Sequence, residues 1–400
     1  MKKGWETKTI GDVCEFQRGL TYAKGDEVDV SGNVVLRATN IDLATNLLIF
    51  DELKYISDKV VVPESKKVKK GSLMICTASG SKSHLGKVAF IDDDYGFAFG
   101  GFMGMLTPLN GLLPRYLFHL MTSEDYKDFI GAISDGANIN NLTFDNLKRF
   151  PVPLPPLPEQ QRIVGLLDEA FAGLATAKAN AENSLQNARA LFESHLQSVF
   201  TQRGPGWVEK TIGETCTLRS GTTVSPDLER PIADIPYLKV ADMTFDGNAD
   251  EITTSSRFLR KADVKECAII PKGATIFPKR GGAILTNKKR ITSVPICADL
   301  NIMAVIPSPQ IDSGLLHFYF LNVDMRKLGT GSSIPQINNY DIAPLLIAFP
   351  KAIPEQRRIV AALTALSAET QRLAAIYSRK LVALEALKKS LLNQAFTGEL

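Results

Sequence analysis

The side chains able to do chemistry in this chain are mostly lysine and arginine, and they are concentrated in two windows. From Glu64 to Asp92 no acidic residue intervenes, and Lys66, Lys67, Lys69, Lys70, Lys82 and Lys87 lie between them. From Glu266 to Asp299 the same is true, with Lys272, Lys279, Arg280, Lys288, Lys289 and Arg290. Each window also carries turn-prone residues, Ser79-Gly80-Ser81 and Gly281-Gly282, which let a backbone approach a partner closely. Such segments attract phosphates by charge and counterion release, and loop Arg and Lys can read guanine edges. The residues expected at a nucleic acid are Lys70, Ser79, Lys82 and Lys87 in the first window, and Lys279, Arg280, Lys288, Lys289 and Arg290 in the second.

Bond-making patterns are missing. There is no G-x-x-x-x-G-K-[ST] phosphate loop, no G-x-S-x-G elbow and no H-E-x-x-H pair. The N-P-P-[YF] and D-P-P-[YF] tetrapeptides of amino-methyl transfer are absent too. The four histidines, His84, His119, His195 and His317, are too dispersed to suggest a metal site, and the five cysteines form no C-x-x-C pair. No catalytic residue and no metal is expected on this chain. No unbroken apolar run reaches the ~18 residues of a bilayer span, and no apolar core follows Met1-Lys2-Lys3, so the expected location is the cytoplasm, with no membrane partner. Lys+Arg is 46 against Asp+Glu 43, a net charge of only +3, which excludes a uniformly basic coat but not a local patch.

The two windows occupy equivalent places in a tandem repeat. WETKTIGDVCEFQRG from Trp5 returns as WVEKTIGETCTLRSG from Trp207, at an offset of 202. EQQRIV from Glu159 returns as EQRRIV from Glu355, at an offset of 196. A chain of 400 residues is thus two related halves, each a globular part and a tail. Short β-rich runs mark the globular parts: Val34–Leu36, Leu73–Cys76 and Lys87–Ile91, then Ala268–Ile270, Ala274–Phe277 and Ile302–Ile306. Helices are expected over Leu113–Phe129 and Leu315–Leu328, giving an α+β class.

The tails read as long helices. PVPLPPLP, residues 151–158, is stiff and extended, and Glu159 then suits a helix N-terminus. A stripe with steps of three and four follows through Ile163, Leu167, Leu174, Leu185, Phe192 and His195. Its counterpart runs through Ile359, Leu363, Leu373, Leu384 and Leu391. Neither rod can bury its stripe alone, and the simplest partner is the other rod, running antiparallel. Residual apolar residues, Leu166, Phe171, Leu191, Phe200, Leu387 and Phe396, suggest further partner helices. The boundaries expected are 1–154 and 203–350 for the globular parts, and 155–202 and 351–400 for the rods.

PLPPLPEQQRIV before a long helix, repeated as IPEQRRIV, resembles the specificity subunit of type I restriction–modification systems. So do Trp-x-x-x-x-Ile-Gly at Trp5 and Trp207, the closing LLNQAFTGEL, and the Gly-to-Asn stretches Gly136–Asn141 and Gly331–Asn338. The resemblance implies two target recognition domains, each reading one half of a split DNA sequence, and an antiparallel coiled coil of the two rods that sets their separation. It implies double-stranded DNA, two methylation subunits and restriction subunits as partners. These partners would carry S-adenosylmethionine, ATP and magnesium, with no cofactor on this chain. The alternatives are a stand-alone bipartite DNA-binding scaffold, and a nuclease or methyltransferase with a degenerate site.

Overall fold

A computed structural model describes residues 4–135, 141–201, 203–328 and 335–400, apart from the side chains of Lys82, Ser134 and Asp135. Most of the two Gly-to-Asn stretches therefore lies outside the described residues. The chain divides into two compact units, Met1–Glu182 with Arg379–Leu400, and Asn183–Ser378. Each unit is one globular part plus a segment of both rods.

In the first unit an antiparallel sheet places Cys14–Arg18, Met103–Pro108, Leu73–Cys76 and Val88–Phe90 in that order. A smaller sheet holds Glu27–Val28, Lys54–Ile56, Asn33–Leu36 and Ala98–Phe99. The second unit repeats this with Cys216–Ser220, Ile302–Pro307, Thr275–Pro278, Arg290–Thr292 and Glu251–Ile252, beside Phe258–Leu259, Ile235–Leu238 and Cys297–Ala298.

The repeated opening motif has a definite job in each unit. Its strand, Glu6–Thr9 or Trp207–Thr211, pairs antiparallel with the strand entering the rod, Pro151–Leu154 or Leu346–Pro350. The Ile of the motif is fully buried in both (Ile10, Ile212). The following Gly donates its N–H to the Lys148 carbonyl in the first unit and to that of Ala343 in the second. The motif's last glycine leaves no room for a side chain. A Cβ on Gly19 would stand 1.9 Å from the Gly100 carbonyl oxygen, and one on Gly221 2.0 Å from that of Asp299.

The rods are helices Leu157–Thr201 and Ile353–Thr397. Each begins after the proline-containing strand, where the missing N–H of an early proline costs nothing. In the first unit, Ile163, Leu167, Leu392, Ala395 and Phe396 share one core with the globular part. There Arg162 reaches the Leu400 carbonyl, Lys388 lies over the Phe171 ring and Lys178 pairs with Glu385. Partner numbers fall as rod numbers rise, so these segments run antiparallel. In the second unit Leu196 and Leu363 share one core, with Phe192, Phe200 and Ile359 packed against it. Of the stripe positions, Ile163, Leu167 and Leu363 are buried, while Leu174, Leu185, Phe192, Ile359, Leu373, Leu384 and Leu391 are half-buried.

Several expectations need correction. His195 is exposed and Leu196 takes the buried position, because the stripe there steps by four rather than three. Phe396 is buried, and Phe171 and Phe200 pack on the cores of their units; Leu166, Leu191 and Leu387 stay exposed. Ala268 ends a 3-10 turn and only Ile270 bridges, to Ile296. The helix expected over Leu113–Phe129 is two, Pro114–Leu120 and Glu124–Asp135, with Ser123 bonding back between them. By length and mean hydropathy the second rod does reach what a membrane span requires, 1.2 over its best 18 residues. That average comes from alanine and leucine spread between charges rather than from an unbroken run, and Glu369 and Arg372 pair within the apolar stretch at 2.6 Å.

Candidate nucleic-acid interface

The basic windows do not present all their charges outward. Lys87 is buried and its Nζ donates to the Ile41 carbonyl at 2.7 Å. Lys289 in the second window is 3% exposed and donates to Asn287 Oδ1 at 2.7 Å. Lys279 is also buried and donates to Ser220 Oγ. Burial lowers the pKa of all three, with Arg280 adding to the effect at Lys279. Arg290 is half-buried, its Nε donating to Asn248 and one Nη to Lys289, both backbone carbonyls. Lys70 and Arg280 are exposed, and Lys288 and Ser79 half-exposed. The backbone of Lys82 opens a 3-10 turn, Lys82–His84; its side chain lies outside the described residues.

The windows thus split into two functional layers. Lys69, Lys70, Lys272, Arg280 and Lys288 have side chains open to solvent, while half-buried Lys66 donates its Nζ to the Arg18 carbonyl at 2.9 Å. Lys87, Lys279, Lys289 and Arg290 brace loops by bonding main-chain or side-chain oxygens. Sequence reasoning could not separate these layers, since inward and outward lysines read alike.

Lys289 carries a measurable consequence. Burial pushes its pKa down to about 8 from 10.5, partly offset by Asp324 and reinforced by Arg326. Between those pH values the unfolded chain holds a proton that the folded chain has lost, so stability rises with pH across that window. Below about pH 8 the penalty is present in full. Lys289→Met removes the buried charge, while Asn287 Oδ1 still accepts the Met325 N–H. We expect it to gain about 1–2 kcal/mol over the wild type at pH 7, with the gain vanishing by about pH 10.5. Denaturant midpoints across a pH series measure this; an equal or lower midpoint at pH 7 would show that the lysine does not destabilise the fold.

Two glutamines that the sequence reading passed over hold each globular part to its rod. Gln160 is fully buried; its Oε1 accepts the Leu113 N–H, and its Nε2 donates to the Gly111 and Pro155 carbonyls. Gln356 is fully buried too; it accepts from Asp312 N–H and donates to the Gln310 and Pro350 carbonyls. The signal was the repeated Glu-Gln after the prolines. In the first unit Asp168 adds a second tie, accepting from Arg115 at 2.6 Å and meeting His119 at 2.7 Å. Burial works against the Asp168 charge, but these partners outweigh it and hold its pKa below the usual carboxylate range. Among the described residues no three His, Cys, Asp or Glu side chains converge as a metal site.

A duplicated α+β module latched to long helices, with an acid-free basic window in each copy, defines a class: a tandem α+β repeat on a helical support. The chain matches the family model described as type I restriction modification DNA specificity domain over residues 2–187 and 205–378, and it belongs to that family. It is 26% identical to the StySPI specificity subunit of Salmonella potsdam, over all of this chain and 90% of that protein. Over 46% of the chain and 39% of the relative it is 31% identical to the EcoKI specificity subunit of Escherichia coli K12. In fold it is similar to a chain solved in a study of complex assembly and conformational transition of the type I R-M system, with TM-score 0.79 at 19% identity, covering 100% of this chain and 99% of that one. The HsdS subunit from Thermoanaerobacter tengcongensis follows at TM-score 0.64 and 19% identity, with 100% and 98% covered. The chain is accordingly a DNA sequence-recognition component and not itself the catalyst.

Proposed function

We propose that each globular part reads one half of a bipartite DNA target and that the rods set the spacer between the halves. The carrying observation is the repetition of one arrangement: a basic loop on a reader that is latched to its rod by a buried glutamine. A duplex presents the same groove about every 34–36 Å, so two readers on a rigid support recognise two half-sites at fixed spacing. Exposed apolar side chains on the rods, Leu166, Leu191, Val382 and Leu387, are suited to partner helices. We assign them to two methylation subunits, with restriction subunits joining the assembly. S-adenosylmethionine, ATP and magnesium belong to those partners, and the complex works on double-stranded DNA in the cytoplasm. Modified-base sequencing of DNA from cells with and without the gene tests the reading. A two-part motif that disappears with the gene supports it; an identical methylome in both refutes it.

The layering of the basic windows sharpens the expected electrostatics. Replacing Lys69, Lys70, Lys272 and Lys288 together by Gln is expected to flatten the salt dependence of DNA binding by the assembled complex. The log–log slope should shrink by about 0.9 for each phosphate that is no longer neutralised. Removing buried Lys87 instead leaves the slope unchanged. Equal slopes for the fourfold variant and the wild type would remove these lysines from the interface.

A further inference from the structure

The internal repeat lets the two readers be compared at one spot. In each copy the chain leaving a central strand is tied by an isolated bridge to the segment before the last short helix: Ala78 to Asn141 in the first, Arg280 to Gln336 in the second. The backbone device is the same. Leu142 N–H donates to the Thr77 carbonyl at 2.7 Å, and Ile337 N–H to the Lys279 carbonyl at 2.9 Å. Leu142 and Ile337 are both buried beneath it.

The side chains displayed on this device differ. In the first copy Thr143 spends its hydroxyl on the following helix, accepting the Asn146 N–H. In the second copy Asn338 holds the same N-cap place but makes no side-chain cap bond. Asparagine is among the best N-caps, so helix stability alone does not account for its diversion. Its Nδ2 donates to the Tyr340 hydroxyl at 2.8 Å, and its Oδ1 accepts from Gln336 Nε2 at 2.6 Å. Tyr340 is 68% exposed. Among the described residues, Gln336 keeps its Oε1 and a second N–H open. The exposed Arg280 guanidinium has no partner among the described residues, in a window free of acidic residues.

We propose that this bridge is the base-reading element of the second unit: Arg280 reads a guanine edge and Gln336 an adjacent adenine edge in the major groove. Asn338 and Tyr340 are positioning residues that hold the Gln336 amide. Arg pairs bidentately with guanine O6 and N7, and Gln with adenine N6 and N7, which is the chemistry this pair displays. The first copy, with Ala78 and Asn141 on the same backbone, reads different bases. One bridge, decorated differently in each copy, makes the half-sites unlike. The inference rests on the bipartite reading proposed above.

The test uses the assembled complex carrying Arg280→Ala or Gln336→Ala, and DNA panels varied in one half-site at a time. Each variant is expected to lose discrimination at one position of one half-site, by about tenfold or more, while the other half-site and the spacer stay as in wild type. Full discrimination at both half-sites in both variants overturns the assignment. Asn338→Thr installs the cap found in the first copy, so the fold is kept; it is expected to blur only the position that Gln336 reads, with an unchanged unfolding midpoint. Discrimination as sharp as wild type in this variant removes Asn338 from its positioning role. A wild-type complex that lacks two-part specificity would instead refute the bipartite reading, so the two failures are distinguishable.

Discussion

Inserting four residues into each rod, after Glu182 and after Ser378, is expected to lengthen the spacer of the recognised DNA by about two base pairs and leave both half-sites unchanged. Four helical residues add about 6 Å and slightly more than one turn. Duplex DNA rises about 3.4 Å per base pair, so the displacement corresponds to about two pairs. The insertion points are chosen from the division of the chain. The first unit ends at Glu182 and resumes at Arg379, and the second runs from Asn183 to Ser378. Core residues of the first unit, Ile163, Leu167, Leu392 and Ala395, keep their neighbours, as do Leu196, Leu363 and Phe318 of the second. The altered spacer is read directly in a methylome. An unchanged spacer with half-sites still modified would sink the idea that the rods act as the ruler.

Replacing Gln356 by Leu is expected to destabilise the second unit by about 3–5 kcal/mol, a large share of a domain's stability. The side chain is fully buried and makes three hydrogen bonds, to Asp312 N–H and to the carbonyls of Gln310 and Pro350. Leucine is close in volume but supplies none of them, and each orphaned buried group carries a desolvation penalty of about 1–3 kcal/mol. Gln160→Leu should behave alike in the first unit, since its three bonds go to equivalent places. Gln161→Ala is the control: its side chain is exposed and its removal should cost less than about 0.5 kcal/mol. Denaturant midpoints of the three variants decide the matter. If Gln356→Leu unfolds no earlier than Gln161→Ala, the latch is not what holds reader to rod.

Much of this architecture could be read before any coordinates. The repeat is a comparison of the chain with itself, and the rods announce themselves by a stripe at steps of three and four over many turns. Long periodic segments average over local exceptions, so a slip such as His195 for Leu196 moves one position without hiding the helix. Short elements lacked that protection. Ala268–Ile270 has strand-forming composition, yet a 3-10 turn and a single bridge claim it, because the partner that decides a strand lies far along the chain. The Leu113–Phe129 helix broke at a serine whose hydroxyl satisfies a carbonyl, a bond with no sequence period.

The candidate site divides along the same line. The sequence by itself determined that the chain is duplicated, that each copy holds an acid-free basic window, and that family motifs flank each rod. These are properties of residue order and charge, which need no third dimension. Only the tertiary structure decided which basic residues are available. Lys87 and Lys289 turn inward to oxygens supplied by Ile41 and Asn287, while Arg280 stands exposed on a bridge to Gln336. Burial and pairing depend on what the fold lays across each side chain. In the second unit the segment that bridges to Arg280, at Gln336, lies far further along the chain, and no local pattern around Arg280 encodes that pairing.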